Sequence, residues 1–293
     1  MSSFAESLSS GRFLVTAELN PPKGTDLTDM MKKAESLRGW VDAFNLTDSA
    51  SAIMTMAPIG AAVALKQAGF EAILQLTSRD RNRIAIQGDM LAAASLGIEN
   101  IVCMGGDPPG AGDHPDAKPV FDLDTLALLR AAKSMNEGTD FMGKALKGSP
   151  HYTIGAVANP GAPELEKEVA RMGDKVRDGA EFFQTQAVYE PEVFAKFMEQ
   201  AKQFGKPVIA GFIILKSGDM ARRLNETLPG VSVPEALIQE MDAAEDKSAK
   251  SIEIGGRIIS AIKGMGQGVH VMAIGWESRI PAMLEAAGIS KHE

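Results

Sequence analysis

The apolar run Phe-Leu-Val-Thr-Ala ends at Glu18, and Leu-Asn-Pro-Pro follows it. The two prolines hold the backbone extended or turned, so this carboxyl stands where a strand-like run meets a rigid loop. Desolvation favours the protonated form of a carboxyl, the form a general acid needs. A salt-bridged rim glutamate is the other reading of the same position. A second constellation is Cys-Met-Gly-Gly-Asp-Pro-Pro-Gly at 103–110. Its glycines allow a ligand or a backbone to approach closely, and Asp107 precedes two stiffening prolines. An ordinary Asp-Pro turn fits the same string. Thr-Ser-Arg-Asp-Arg-Asn-Arg at 77–83 sets three arginines at alternate positions. They suit a pyrophosphate or an acidic substrate tail, or equally a solvated rim or a helix-start pairing with Asp80.

Other reactive residues carry less. His114, His151, His270 and His292 show no metal-ligand spacing, and no Ser/His/Asp signature is present. His151 and His270 stand at strand starts, which assigns them to the core or the bottom face. Cys103 reads as a small hydrophobe within a strand, and Gly-Met-Gly-Gln-Gly at 264–268 as a turn before the last strand. The 16 methionines read mostly as core filler.

These residues need positioning elements, and the chain supplies a regular rhythm of them. Strand-like runs fall at 13–18, 43–47, 72–77, 100–104, 152–157, 181–186, 207–213 and 269–274. Helical periodicity lies between them, at 27–37, 58–67, 82–95, 123–135, 163–177, 191–204 and 252–263. Gly69 and Gly97 read as helix stops. Eight βα units predict a closed (β/α)8 TIM barrel with parallel strands. The rival, an open doubly wound sheet, would want a Gly-x-Gly-x-x-Gly cradle after the first strand, which is absent. Barrel enzymes carry their chemistry at the C-terminal strand ends. Those positions are Glu18, Thr47 with Asp48, Thr77, Asp107, Asn159, Gln186, Lys216 and Trp276-Glu277. Helix capping explains any single Thr, Asn or Asp among them.

The 293 residues fit one barrel domain over 1–293, with a helical excursion near 217–247 and no separate regulatory domain. With 30 basic against 38 acidic residues the net charge is −8, which argues against a nucleic-acid partner. The amino terminus lacks the basic start and apolar run of a signal peptide. No apolar run reaches the roughly 20 residues of a membrane span. The expected location is cytoplasmic.

Ala-Glu-Leu-Asn-Pro-Pro at 17–22, Leu-Thr at 76–77, Gly-Gly-Asp-Pro-Pro-Gly at 105–110 and Thr-Gln at 185–186, in this order, resemble the methylenetetrahydrofolate reductase family. Later segments, Leu-Lys-Ser at 215–217 and His-Val-Met-Ala-Ile-Gly-Trp-Glu at 270–277, resemble its short prokaryotic branch. The resemblance implies an FAD-containing barrel that reduces 5,10-methylenetetrahydrofolate to 5-methyltetrahydrofolate with electrons from NADH, NADPH or a partner subunit. It assigns Glu18 as general acid, and Asp107 as the charge between flavin and pterin that also contacts substrate. Gln186 orients the substrate. Thr47, Gln75, Met104, Gly106, Asp107, Asn159 and Lys175 fall at flavin-contact positions, Lys175 as a phosphate partner. A homo-oligomer is implied as well. The sequence departs from the family's better-known bacterial members at Gly105 (arginine there), Gln75 (histidine) and near Ala162 (a second histidine). Asp174 stands where an arginine is expected, leaving Arg79, Arg81 or Arg83 to support the cofactor. A flavin-independent variant, a pterin-binding methyltransferase barrel and a non-catalytic folate-binding subunit are the alternatives.

Overall fold

The computed structural model describes residues 2–292. Eight parallel strands close into a barrel in sequence order. They are β1 (Leu14–Leu19), β2 (Ala43–Leu46), β3 (Ala72–Thr77), β4 (Asn100–Met104), β5 (Thr153–Ala158), β6 (Phe182–Ala187), β7 (Val208–Ile213) and β8 (Gly268–Met272). The helices are α1 (Ser3–Ser9), α2 (Thr28–Ser36), α3 (Pro58–Gln67), α4 (Arg83–Ser95), α5 (Thr125–Asn136), α6 (Leu165–Arg177), α7 (Pro191–Ala201), α8 (Gly218–Thr227), α9 (Glu235–Ala243), α10 (Lys247–Ile262) and α11 (Ile280–Ala286). The (β/α)8 barrel expected from the rhythm of the sequence is the fold observed, and α8 and α9 form the excursion after β7.

Side chains alternate along each strand. One set faces the helices and is apolar and buried, for example Val15, Phe44, Leu74, Ile101 and Phe183. The other set fills the barrel. Its lowest layer, Leu14, Ala43, Ile73, Val102, Phe182 and Ile209, forms a separate apolar cluster. Helix α1 plugs this end, with Phe4 edge-on to Phe182 at 5.3 Å between ring centroids. The Ser2 hydroxyl donates to Asn100 at 2.7 Å. One layer higher the interior turns polar: Thr16, Asn45, Gln75, Gln184 and His270 are all buried. Barrel interiors are dominated by branched apolar residues, so polar side chains at this depth mark the end that does chemistry.

Local chemistry sets the helix ends. Asn82 caps α4, its side chain accepting from the N–H groups of Ile84 and Ala85, and Asp124 caps α5 through Ala127. Gly69 and Gly97 stop α3 and α4 with φ of +79° and +80°. Most bounds fall within three residues of the sequence expectation, and three differences have a clear cause. Strand β8 ends at Met272, because Ile274 and Gly275 adopt φ of +48° and +87° and turn the chain away. Helix α10 begins at Lys247, where Asp246 caps it by accepting from Ala249. Helix α1 lies in a stretch with no expected element, since its burial depends on Phe182, far away in sequence.

Candidate active site

Glu18 points into the barrel two residues above Thr16, its side chain 19% exposed. Around it at the same end lie the inward residues Thr47, Gln75, Thr77, Met104 and Gln186. Thr47 donates to Asn20 at 2.8 Å, while Gln75 is buried and Met104 half-buried. Gln186 is exposed at the mouth, and the register of β6 against β7 shifts between Gln184 and Ala187. Such irregularities re-aim side chains. Gly211 permits this one: a Cβ there would lie 2.2 Å from the Thr185 carbonyl oxygen.

The loops after β2, β3 and β4 are tied together by charge. Asp48 accepts from both the N–H and the hydroxyl of Thr77 at 2.8 Å, and also pairs with Arg81. Arg79 is buried; it pairs with Asp80 and donates to the carbonyls of Ser49 and Asp107, each at 3.2 Å. The Asp80 carboxylate beside it stabilises the guanidinium and raises its pKa. Arg81 also reaches Asp89, and Arg83 pairs with Asp122. All three arginines of the 77–83 motif are thus matched by aspartates, which favours the structural reading of that motif over a phosphate-binding one.

Asp107 is exposed at the mouth, where its Oδ2 accepts from the backbone N–H of Ser51 at 3.1 Å. Gly106 has φ of +89°, and a Cβ on it would lie 3.0 Å from Thr77 Cβ and 3.3 Å from Arg79 Cβ. This position requires glycine. Gly105 is not constrained in that way, its nearest neighbour to a Cβ being Thr125 Oγ1 at 3.9 Å.

Asn159 and Lys175 lie apart from this cluster. The Asn159 amide donates to the Pro229 carbonyl at 3.2 Å, holding the excursion loop against the end of β5. Lys175 sits in the helical layer on α6, donating to the Val157 carbonyl at 2.6 Å with Glu168 at 3.9 Å. Burial pushes the Lys175 ammonium pKa down, with Glu168 opposing the shift. A cavity of about 180 Å³ opens beside it between α5 and α6, lined by Asp124, Thr125, Arg171 and Asp174 among others. Arg171, one helical turn before Lys175, makes no ion pair among the described residues. It escaped the sequence reading, which sought the missing cation at position 174. A ligand touching both Asp107 and Lys175 must run from the mouth over the ends of β4 and β5.

Two further residues follow expectation. Cys103 is buried, its thiol pushed up to about 12 by desolvation. His151 lies at the opposite, bottom end, beside a cavity of about 720 Å³ under α1. That cavity lies at the opposite end of the barrel from Glu18 and the residues of the mouth. His270 lies in the buried core, one of the two places expected for it, one layer beneath Glu18 in the barrel.

The model of the family "Methylenetetrahydrofolate reductase" matches residues 3–288. Methylenetetrahydrofolate reductase 2 of Schizosaccharomyces pombe is 27% identical over 242 residues, which are 74% of this chain and 36% of that protein. A Caenorhabditis elegans protein named probable methylenetetrahydrofolate reductase (NADPH) is 23% identical over 243 residues, 80% of this chain and 34% of its own length. The chain therefore spans about a third of the length of these curated relatives. Among solved structures, an uncharacterized protein from Clostridium thermocellum that binds two copies of 5-methyl-5,6,7,8-tetrahydrofolic acid aligns with a TM-score of 0.65. Its sequence identity is 16%, over 97% of this chain and 98% of the other, and the likeness shows the shared fold. On the family match across nearly its whole length, the chain belongs to the methylenetetrahydrofolate reductase family.

Proposed function

We propose that this chain reduces 5,10-methylenetetrahydrofolate to 5-methyltetrahydrofolate, with FAD as carrier and NADH or NADPH as electron source. The observation that carries the reading is Glu18, a partly desolvated carboxyl at the floor of the mouth, with Asp107 on the rim and Gln186 turned into the opening. In its protonated form Glu18 donates to N10 of the folate as the bond from N10 to the bridging carbon breaks. The bridging carbon is then an iminium on N5, and the Asp107 carboxylate stabilises that cation. Gln186 orients the pterin by hydrogen bonding. Addition of a hydride to the iminium carbon completes the methyl group. The C. thermocellum neighbour, which binds a methylated folate, supports the choice of substrate class.

The residues present fit FAD. Thr125, Arg171 and Lys175 offer hydroxyl and cationic donors for a pyrophosphate in the groove between α5 and α6. Gly106 lets the loop after β4 pack against Thr77 and Arg79 at the mouth, where a Cβ would crowd both. When bound, FAD supplies the hydride; this chain supplies position and charge.

The test is the visible spectrum of the purified protein, followed by anaerobic titration with each nicotinamide and then with methylenetetrahydrofolate. The expected outcome is a yellow protein, bleached by a reduced nicotinamide and reoxidised by the folate. Glu18→Gln should keep the bleaching step and lose reoxidation. A colourless protein that instead demethylates 5-methyltetrahydrofolate in favour of a corrinoid acceptor overturns the reading.

A further inference from the structure

We infer that the cavity under α1 is a second binding site, shaped for an α-amino acid with a bulky apolar side chain. It measures about 720 Å³, within the roughly 300–1,000 Å³ typical of small-molecule sites. Helix α1 forms one wall with Ala5, Leu8 and Ser9, and the chain entering β5, β6 and β7 forms the others. The cavity lies at the amino-terminal end of the strands, so no residue assigned to the mouth takes part in it.

Two opposite charges on its wall are left open. Glu181 and Lys206 both line the cavity, and neither makes an ion pair among the described residues. Glu181 Oε2 accepts from the Ile154 N–H at 2.9 Å, which leaves Oε1 free. The two residues are neighbours across the sheet. Phe183 and Val208 are register partners on β6 and β7, and each charged residue lies two positions before its member of that pair. Adjacent strands run about 4.8 Å apart, yet the carboxylate and the ammonium do not meet. A ligand that satisfies both must carry its own opposite charges equally close together. An α-amino acid carries them on one carbon. Its ammonium donates to Glu181 Oε1 and its carboxylate accepts from Lys206 Nζ, both as charge-assisted bonds.

The rest of the wall selects an apolar side chain. Leu8, Tyr152 and Pro207 supply the surface. The Tyr152 hydroxyl is spent on the Met90 carbonyl, leaving its ring to the cavity. The Asn136 amide is spent as well, bonded both ways to the Tyr152 backbone at 2.8 and 2.9 Å. A ligand held here touches α1 on one side and the strand starts on the other. Occupancy therefore ties down the helix whose Phe4 packs against Phe182.

The test uses L-phenylalanine and two truncated relatives. One is 3-phenylpropanoate, which lacks the ammonium, and the other is 2-phenylethylamine, which lacks the carboxylate. Titration calorimetry of the full chain should show one site for phenylalanine, with each relative bound about tenfold more weakly. Lys206→Met should weaken phenylalanine about tenfold and leave the amine unchanged. Glu181→Gln, which keeps an acceptor for Ile154, should weaken phenylalanine similarly and leave the acid unchanged. Hydrogen exchange across residues 3–9 should slow when phenylalanine is bound. No binding of phenylalanine to the wild-type protein, or wild-type affinity in both folded variants, overturns the inference. Displacement of phenylalanine by 5-methyltetrahydrofolate also overturns it, because the amino acid then occupies the mouth.

Discussion

The backbone N–H of Ser51 donates to Oδ2 of Asp107 at 3.1 Å, joining the loop after β2 to the loop after β4. The donor loop holds three non-glycine residues with positive φ: Ser49 at 51°, Ser51 at 53° and Ala52 at 56°. Such conformations persist where surrounding contacts over-determine them. Met54 N–H adds a second bond of this kind, to Asp113 at 2.9 Å. Asp107 thus has two separable duties, a negative charge toward a substrate cation and an acceptor for a strained loop.

Substitutions at Asp107 separate the two. Asp107→Asn keeps an acceptor for Ser51 but removes the charge, and should lower folate turnover about 100-fold with unchanged hydrogen exchange at 49–54. Asp107→Ala should lose the same turnover and also speed exchange across that loop. Equal exchange in the two variants would show that the carboxylate does not hold the loop.

Gly106→Ala tests the cradle at the mouth. The added methyl meets Thr77 Cβ at 3.0 Å and Cγ2 at 3.1 Å, on a backbone of φ +89°. The expected destabilisation is about 1–3 kcal/mol, read as a lowered thermal midpoint, together with weaker flavin retention. Gly105→Ala, one residue earlier, brings its Cβ only to an ordinary contact with Thr125 Oγ1 at 3.9 Å and should be neutral in the same assay.

Lys175 supplies a pH test with a defined sign. Burial depresses its pKa below the 10.5 of a free lysine. An anionic pyrophosphate placed beside it favours the ammonium and raises that value again. Between the free and bound values binding takes up a proton, so affinity weakens as pH rises through that window. Titration calorimetry of FAD or ADP at alkaline pH, in two buffers of different ionisation enthalpy, measures the uptake. Lys175→Met should abolish it and weaken binding by about tenfold, or ~1.4 kcal/mol.

The acid limb is set elsewhere. Asp122, on the loop after β4, accepts from the Arg83 N–H at 2.9 Å and pairs with the Arg83 guanidinium, which holds its carboxyl down to about 2 against 3.8 in a free aspartate. A carboxyl lowered by folding stabilises above its unfolded value, and that contribution is lost as pH falls through the folded one. The start of α4 should therefore detach from the loop after β4 between roughly pH 4 and 2. Hydrogen exchange at 119–124 reads this, and Asp122→Asn should show the same exposure at neutral pH.

How far the sequence revealed this site follows from the range of the forces involved. Glu18, Thr77 and Gly106 were legible because a strand run, a turn and a glycine requirement are local patterns. The eight strands were legible for the same reason. Arg171 was not, because a cation one turn before Lys175 on α6 looks like any solvated helix charge until α5 closes the groove. The aim of Gln186 depends on Gly211 lying against Thr185, a contact between different strands. For His270 the sequence offered only core or bottom face, because its neighbours Thr16 and Glu18 precede it by most of the chain and come close when β8 closes on β1.

The amide pair beneath the site yields the strictest energetic prediction. Asn45 and Gln184 satisfy each other by two bonds in a region that water does not reach. Removing one partner orphans the other. Gln184→Met or Asn45→Leu alone should cost about 1–3 kcal/mol in urea unfolding. The double variant replaces both polar groups by apolar ones of similar shape, which is less unfavourable than leaving one unpaired. The coupling between the sites should be about 0.5–3 kcal/mol, with the double variant more stable than the sum of the singles predicts. Strict additivity would mean that each amide finds another partner once released, and that the polar layer under Glu18 is not one connected unit.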